Sequence, residues 1–467
     1  MGQVGRVGTW LRAFRPAFAA AFAITASLAA QETPRLPNRG GVVLYENARL
    51  IPGDGQPAIE RAALLVRDGR ISRVGRAGGV GLPDGGARVD LAGKTIIPTL
   101  INVHTHVGFQ RGATYTRENY SRETILDDLN RALYFGITAV VSQGIDPGDT
   151  AFRIRAEQAA GTLGGARLFV AGRGMGFPNA GPGADTYRGI AYSITTPDDG
   201  RQAVREQAAQ KVDLIKIWVD DRNGRAPRMT PEVSHAIIDE AHKHGLKVNA
   251  HVFYLSDVSN LTNAGIDGFA HLARDKELDD ATVQAIVRRG VTVMTTLGTP
   301  ERTTHTSVPP RFAAWLDGPL RDAAPVAMLD RVKAGFGGRD ETTAAGNRER
   351  YGILQRTVAK LAKAGAKIAL GSDTGIQDHP FGITDHRELE LLVEAGMTPM
   401  QVLTAATSTS AGYLKLSDQG VLAAGKRANF MVLDANPLDD ITNTRRIARV
   451  VVNGREIDRA GLAARLH

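Results

Sequence analysis

The chain has no cysteine among its 467 residues. That excludes disulfides, a lipid-modified N-terminal cysteine and thiolate metal ligation, so any metal must be held by histidine, carboxylate or lysine. Aromatic residues make up only 6%. No Lys/Arg stripe interleaved with aromatics occurs, so no nucleic-acid partner is expected. Excess charge is small: 57 basic residues stand against 49 acidic ones, and Arg6, Arg12 and Arg15 at the N-terminus supply three of that excess of eight. The apolar run that follows those arginines, Ala17 to Ala26, is too short to span a bilayer comfortably.

The composition itself, 43% hydrophobic and 23% charged, is that of a soluble globular protein. The basic start, the apolar run and the small residues Ser27 and Ala29 read as a signal peptide over 1–29. A secreted or periplasmic protein is therefore expected, with no membrane association once the leader is cleaved. Residues 31–40 are expected to form a flexible lead. Short β-type runs follow from Gly41 to Ile97, with the hairpin signal Asp68-Gly69 between two of them. Similar runs return after Gly420, ending around the turn Asn453-Gly454. Residues 30–98 and 420–467 are thus expected to build one small β-sandwich domain.

Between these ends, over 99–419, eight apolar strand-like runs alternate with helical stretches. The strands are expected to start at Ile101, Ala139, Leu168, Leu214, Val248, Gly268, Val291 and Ile368. Strand–helix alternation repeated eight times predicts an α/β fold, a (β/α)8 TIM-like barrel. The clearest helix runs from Pro231 to His244, with Thr230 as N-cap and Gly245 as its stop. Residues 298–350, rich in proline, interrupt the rhythm between strands seven and eight and are expected to form a lid or pocket wall.

The chemistry collects at the C-terminal strand ends, where barrels of this kind carry their sites. Strand one ends in His104-Thr105-His106, and side chains two apart on a strand share a face. Strand four carries Lys216, strand five His251, strand six His271 and strand eight Asp373. Four histidines and a carboxylate are too many for one tetrahedral zinc, and suit two divalent ions sharing ligands. A lysine ammonium repels a metal, but a neutral amine among apolar neighbours reacts with carbon dioxide. The product, a carbamate, is an anionic oxygen ligand able to bridge two ions.

This ordered set resembles the amidohydrolase superfamily: His-x-His after strand one, lysine on strand four, histidines on strands five and six, aspartate on strand eight. The likeness covers nearly all of residues 41–458. Within the superfamily it is similar to imidazolonepropionase-like sequences that keep the strand-four lysine, several of which resemble Xaa-Pro or Xaa-Arg dipeptidases. The resemblance implies that His104, His106 and Asp373 hold one metal and His251 and His271 the other. Carboxylated Lys216 would bridge two divalent ions, zinc by expectation. The sequence departs from the pattern at Pro98-Thr99, where the family has glycine after the proline.

The implied activity is a dinuclear metal-dependent amidohydrolase that cleaves the amide bond of dipeptides or N-acyl amino acids with a metal-bridging hydroxide. Asp373 would shuttle the proton. The same nucleophile would also attack a lactone, ester or cyclic amide. A metal-holding protein without turnover is the reading of another class, and Asp373 argues against it. Tyr254, Arg173, Arg188 and Arg222 lie in post-strand loops and are the expected substrate-binding groups, since an arginine fork can hold a carboxylate. A small-molecule substrate and a homo-oligomer are expected. His242 and His244 lie two apart on a helix and cannot share a ligand. His305 and His379 lie in loops, with a rim position as the lesser reading.

Overall fold

The computed structural model describes residue 1 and residues 41–182, 185–222 and 224–466. The expected leader over 1–29 lies, apart from Met1, outside the described residues. Eight parallel strands succeed one another along the chain: Leu100–Thr105, Ile137–Ser142, Arg167–Val170, Leu214–Trp218, Lys247–His251, Gly268–Phe269, Thr292–Met294 and Lys367–Ala369. Strands one to three pair in parallel, and so do strands four to eight. Backbone bonds join the two sets at both seams. The Asp213 amide donates to the Val170 carbonyl at 2.8 Å, and the Val103 amide donates to Leu370 at 2.8 Å. These links complete a (β/α)8 TIM-like barrel.

Alternation along the strands explains how the barrel is filled. On strand four, Ile215 and Ile217 pack outward with helix residues such as Val233 and Ile237. Leu214 belongs instead to an apolar cluster with Ile101, Val103, Ala139, Val141, Met294 and Ala369, contributed by the other strands. Lys216 shares the face of Leu214, two residues away, and is 1% exposed. It therefore points into the barrel rather than toward the helices. Close approach is possible because Gly144 lies against it: a Cβ at Gly144 would meet Lys216 Cγ at 2.7 Å.

Both chain ends meet in a separate eight-stranded sheet. Thr95–Pro98 pairs antiparallel with Phe430–Leu433, which continues into Ile447–Val452 and Arg455–Glu456. On the other side Val42–Leu50 leads to Ile59–Arg67 and Arg70–Arg76. The hairpin signals arise from backbone chirality. Asp68 and Gly69 have φ of 48° and 77°, and Asn453 and Gly454 have 49° and 73°, the left-handed pair that a two-residue turn between twisted strands requires.

The structure differs from the sequence reading in detail. Gly420–Leu422 is not a strand; its Leu422 amide makes a backbone bond to Pro52. Strand six stops at Phe269, so His271 sits beyond the ladder. Thr230 makes no side-chain cap, although Pro231 opens that helix as expected. The helix Glu341–Lys363 runs through residue 350, the expected end of the insertion, because nothing breaks it before Gly365 (φ 73°).

Gly375, two residues past Asp373, has φ of 95°, and a Cβ there would fall onto the carbonyl oxygen of His106. Gly375→Ala is therefore expected to lower stability by at least ~2 kcal/mol, from overpacking and left-handed backbone strain. Thermal melting of the variant beside wild type checks this.

Candidate metal centre

His104 and His106 leave the end of strand one into the barrel mouth. A register shift against strand two falls between Asn102 and Thr105, the kind of bulge that re-aims side chains. Asn102 fixes the local geometry. Its side-chain oxygen accepts from the His104 amide at 2.9 Å, and its nitrogen donates to Ser372 Oγ at 2.6 Å and to Asp385. The Asp373 amide donates to the His104 carbonyl at 3.0 Å and the His106 amide to Thr374 at 2.7 Å. Strands one and eight are thus locked together where their polar residues begin. Asp373 itself has φ of 59°, a left-handed conformation that aspartate tolerates better than most residues.

Among the described residues, His104, His106 and Asp373 offer ligand atoms that all lie within 4.8 Å of one another. Asp373 Oδ1 is 3.0 Å from His106 Nε2 and 3.3 Å from His104 Nε2. Thr299 donates to Oδ2 at 3.3 Å. Lys216 Nζ lies 3.4 Å from His104 Nε2, and 5.5 Å from the centre of the Trp218 ring. The His271 ring sits 5.1 Å from that of His104 and 4.3 Å from that of His251. The mouth therefore brings all six expected residues into one cluster.

Electrostatics place these groups in ligand-competent states. Burial pushes His104 well below its ordinary value, and the charge of Lys216 adds to the effect; burial likewise lowers His106, His251 and His271. Neutral imidazoles result, the form that donates to a metal. Burial alone would raise Asp373, but His104, His106 and His271 outweigh it and keep the carboxylate well below its usual range. Lys216 is lowered to about 7 by burial, against the opposing pull of Asp373. No carboxylate lies within ion-pair distance of its amine among the described residues.

The donor set fits divalent metal ions. The Nδ1 atoms of His104 and His106 are buried without hydrogen-bond partners, so their Nε2 atoms face the shared centre. His271 Nδ1 is 2.6 Å from Thr296 Oγ1, which fixes that ring and leaves Nε2 available. His251 Nε2 lies 3.6 Å from Oδ1 of buried Asp220, a charge contact longer than a hydrogen bond. A metal-ligating histidine whose second nitrogen is held by an oxygen is the usual supporting arrangement.

Sequence reasoning missed Asn102, Asp220 and Thr296. Asn102 lies two residues before His104 and Asp220 four past Lys216, whereas Thr296 follows strand seven, far in sequence from any named ligand; a search of the post-strand loops for second polar groups would have found Asp220 and Thr296. The structure places the expected substrate-binding groups as follows. The Tyr254 hydroxyl donates to Asp221 at 2.9 Å and its ring lies 4.2 Å below Arg228. Arg173 donates to the Ile190 carbonyl and lies over Tyr192. Arg222 donates to Gly181 at 3.2 Å, and Arg188 is exposed. His379 is 3% exposed and not at the rim, because the loop after strand eight folds back and its carbonyl accepts from Gly375. His242 instead meets Asp267 at 2.9 Å, away from the cluster.

Known proteins agree with this architecture. The chain is 23% identical over 404 residues to an enamidase of Eubacterium barkeri, covering 85% of this chain and 88% of that one. The solved structure of a Xaa-Pro dipeptidase superposes with a TM-score of 0.70 at 23% identity, over 89% of this chain and 99% of that one. Molinate hydrolase superposes at 0.69, with 23% identity over 90% and 96% of the two chains. The model of the Amidohydrolase family matches residues 95–457, which hold the barrel and every residue of the cluster. The chain belongs to the Amidohydrolase family and is a hydrolase of carbon–nitrogen bonds.

Proposed function

We propose that the protein is a dinuclear metal-dependent amidohydrolase of dipeptides or N-acyl amino acids. The observation that carries this is Lys216: a buried amine, lowered to about 7 and without a carboxylate partner, set beside three ligand-competent side chains. A lysine placed there only to pair with acid would have one. Its neutral amine attacks the carbon of carbon dioxide, forming an N–C bond and releasing one proton. The resulting carbamate would bridge two ions, zinc in this proposal. His104, His106 and Asp373 would hold one and His251 and His271 the other.

Such ions, when bound, lower the pKa of water toward neutrality and polarise a carbonyl oxygen. The rest belongs to the chain. Asp373, kept as a carboxylate, accepts the proton that the attacking water loses and returns it to the departing nitrogen, which leaves as a neutral amine. Thr299, donating to Asp373 Oδ2, leaves Oδ1 as the oxygen that faces the histidines. Thr296 keeps the ring of His271 in register. The barrel mouth around Trp218 and Phe109, both buried, limits water to the reacting centre. The protein is proposed to act on a small molecule, as a homo-oligomer, in a secreted or periplasmic location after loss of residues 1–29.

Two measurements test the proposal. A screen of the metal-loaded protein against dipeptide and N-acyl amino-acid libraries should release free amine. Turnover confined to esters or lactones would refute the amide reading. Elemental analysis should find two equivalents of metal per chain, falling toward one in His251→Ala. A fully active protein holding one equivalent would refute the paired centre.

A further inference from the structure

A cavity of about 510 Å³ lies where the floor of the barrel meets the terminal sheet. From the barrel it is lined by Thr138, Arg167 and Asp213, which stand at the N-terminal ends of strands two, three and four. From the sheet it is lined by Asn429 and Val452, at the ends of paired strands. The metal-centre residues stand at the opposite, C-terminal ends, and none of the six lines this cavity. Its volume falls within the roughly 300–1,000 Å³ of small-molecule sites, which are largely apolar with a few polar groups. The walls here follow that plan. Phe169 and Ile457 are buried, and Leu163 and Val452 are half-buried.

Three arginines line the cavity, and one differs from the others. Arg155 is held by Asp213 at 2.6 Å, and Arg427 by Asp418 at 2.6 Å and by Asn453. The Arg167 guanidinium lies over the Phe169 ring, 4.7 Å from its centre, and among the described residues it has no hydrogen bond or ion pair. The two lining carboxylates are engaged within the fold. Asp213 also accepts from the Val170 amide at 2.7 Å, and Asp458 accepts from the Gly461 amide at 2.8 Å, opening the C-terminal helix. Stacking uses the face of a guanidinium and leaves its N–H edges free in the plane. Those edges match a carboxylate through two parallel hydrogen bonds. Arg167 is exposed whereas Phe169 is buried, so the charge stands at the opening with apolar wall behind it. We propose that this cavity binds a small organic carboxylate with an apolar aryl or alkyl body. The carboxylate pairs with Arg167, and the body lies against Leu163, Phe169 and Val452. The site is separate from the metal centre and does not depend on which bond that centre cleaves.

The test is calorimetric titration of the metal-loaded protein with 4-phenylbutyrate and octanoate, each beside its neutral primary amide, and with inorganic phosphate. Wild type should bind one equivalent of each acid, and each amide more weakly. Loss of a charge-assisted hydrogen-bond pair corresponds to about 10- to 100-fold. Acid binding should weaken by that factor in Arg167→Gln, with amide binding unchanged. Arg167→Lys, which keeps the charge without the fork, should recover part of it. Leu163→Trp fills the apolar part and should weaken acids and amides alike. Should that variant not fold, Arg167→Gln decides alone, because its side chain is exposed and leaves the core untouched. Acid binding that is equal in wild type and Arg167→Gln would mean that the carboxylate goes to the metal centre, and would overturn the assignment. So would the absence of saturable binding of both acids to wild type, acid and amide binding of equal strength, or phosphate binding as tight as that of the acids, which would make Arg167 a plain anion contact.

Discussion

Lys216→Ala is expected to lower kcat/KM by at least ~10³-fold, because the proposed carbamate would help hold ions that supply several kcal/mol of transition-state stabilisation. On that proposal, short carboxylic acids such as acetate or propionate should restore part of the activity, since the vacated volume at strand four would admit an anion in place of the carbamate. The loss should not come from unfolding. Lys216 is lowered from 10.5 to about 7 by burial, so the metal-free folded state binds fewer protons than the unfolded chain between those values. Its contribution to stability is therefore present above about pH 10 and lost as the pH falls through 7. Lys216→Met keeps the stem and removes the amine. Without metal, it should be at least as stable as wild type, with its advantage growing from pH 10 to 7 and levelling below. Denaturant midpoints across that range, read beside the activity and rescue assays, separate a ligand from a structural lysine. A Lys216→Met protein that melts well below metal-free wild type at pH 6 would mean that the amine stabilises the fold.

Asp373→Asn is expected to reduce kcat by ~10²–10⁴-fold, the usual contribution of a general acid–base group, while KM changes by only a few-fold. Asparagine fits the site: it matches aspartate in size and is at home at a φ of 59°. It can still offer an oxygen to His104 and His106, but it cannot take a proton from water. Metal content measured on the same preparation distinguishes the two losses. Near-wild-type metal with low turnover identifies a proton carrier; metal lost in proportion to activity identifies a ligand and nothing more. Activity within a few-fold of wild type would mean that another group moves the proton.

What was legible beforehand follows from where the information lies. A barrel strand is written locally, as apolar residues with a polar group at the C-terminal end. His104, His106, Lys216, His251, His271 and Asp373 could therefore be placed at one mouth from the sequence alone. The turns Asp68-Gly69 and Asn453-Gly454 were legible for the same reason, since two adjacent residues decide the backbone. Groups whose role depends on contacts distant in sequence were not. Asn102 looks like one polar residue in an apolar strand, and only its bonds to Ser372 and Asp385, some 270 and 283 positions away, reveal it as the tie between strands one and eight. Asp220 sits in a loop whose course no periodicity encodes. The burial of His379 was not legible, because burial of a loop depends on the Gly375 turn that folds it inward. The arginines expected to bind substrate show a related limit: a guanidinium is informative only once its partners are known, and Arg173 and Arg222 both donate to backbone carbonyls.

The most direct test of the central claim is a crystal structure of the active, metal-loaded protein prepared with bicarbonate. Two metal ions are expected at the barrel mouth, with density for three further atoms on Lys216 Nζ lying between them. A fully active protein with one ion and a bare Lys216 amine would contradict the bridged centre.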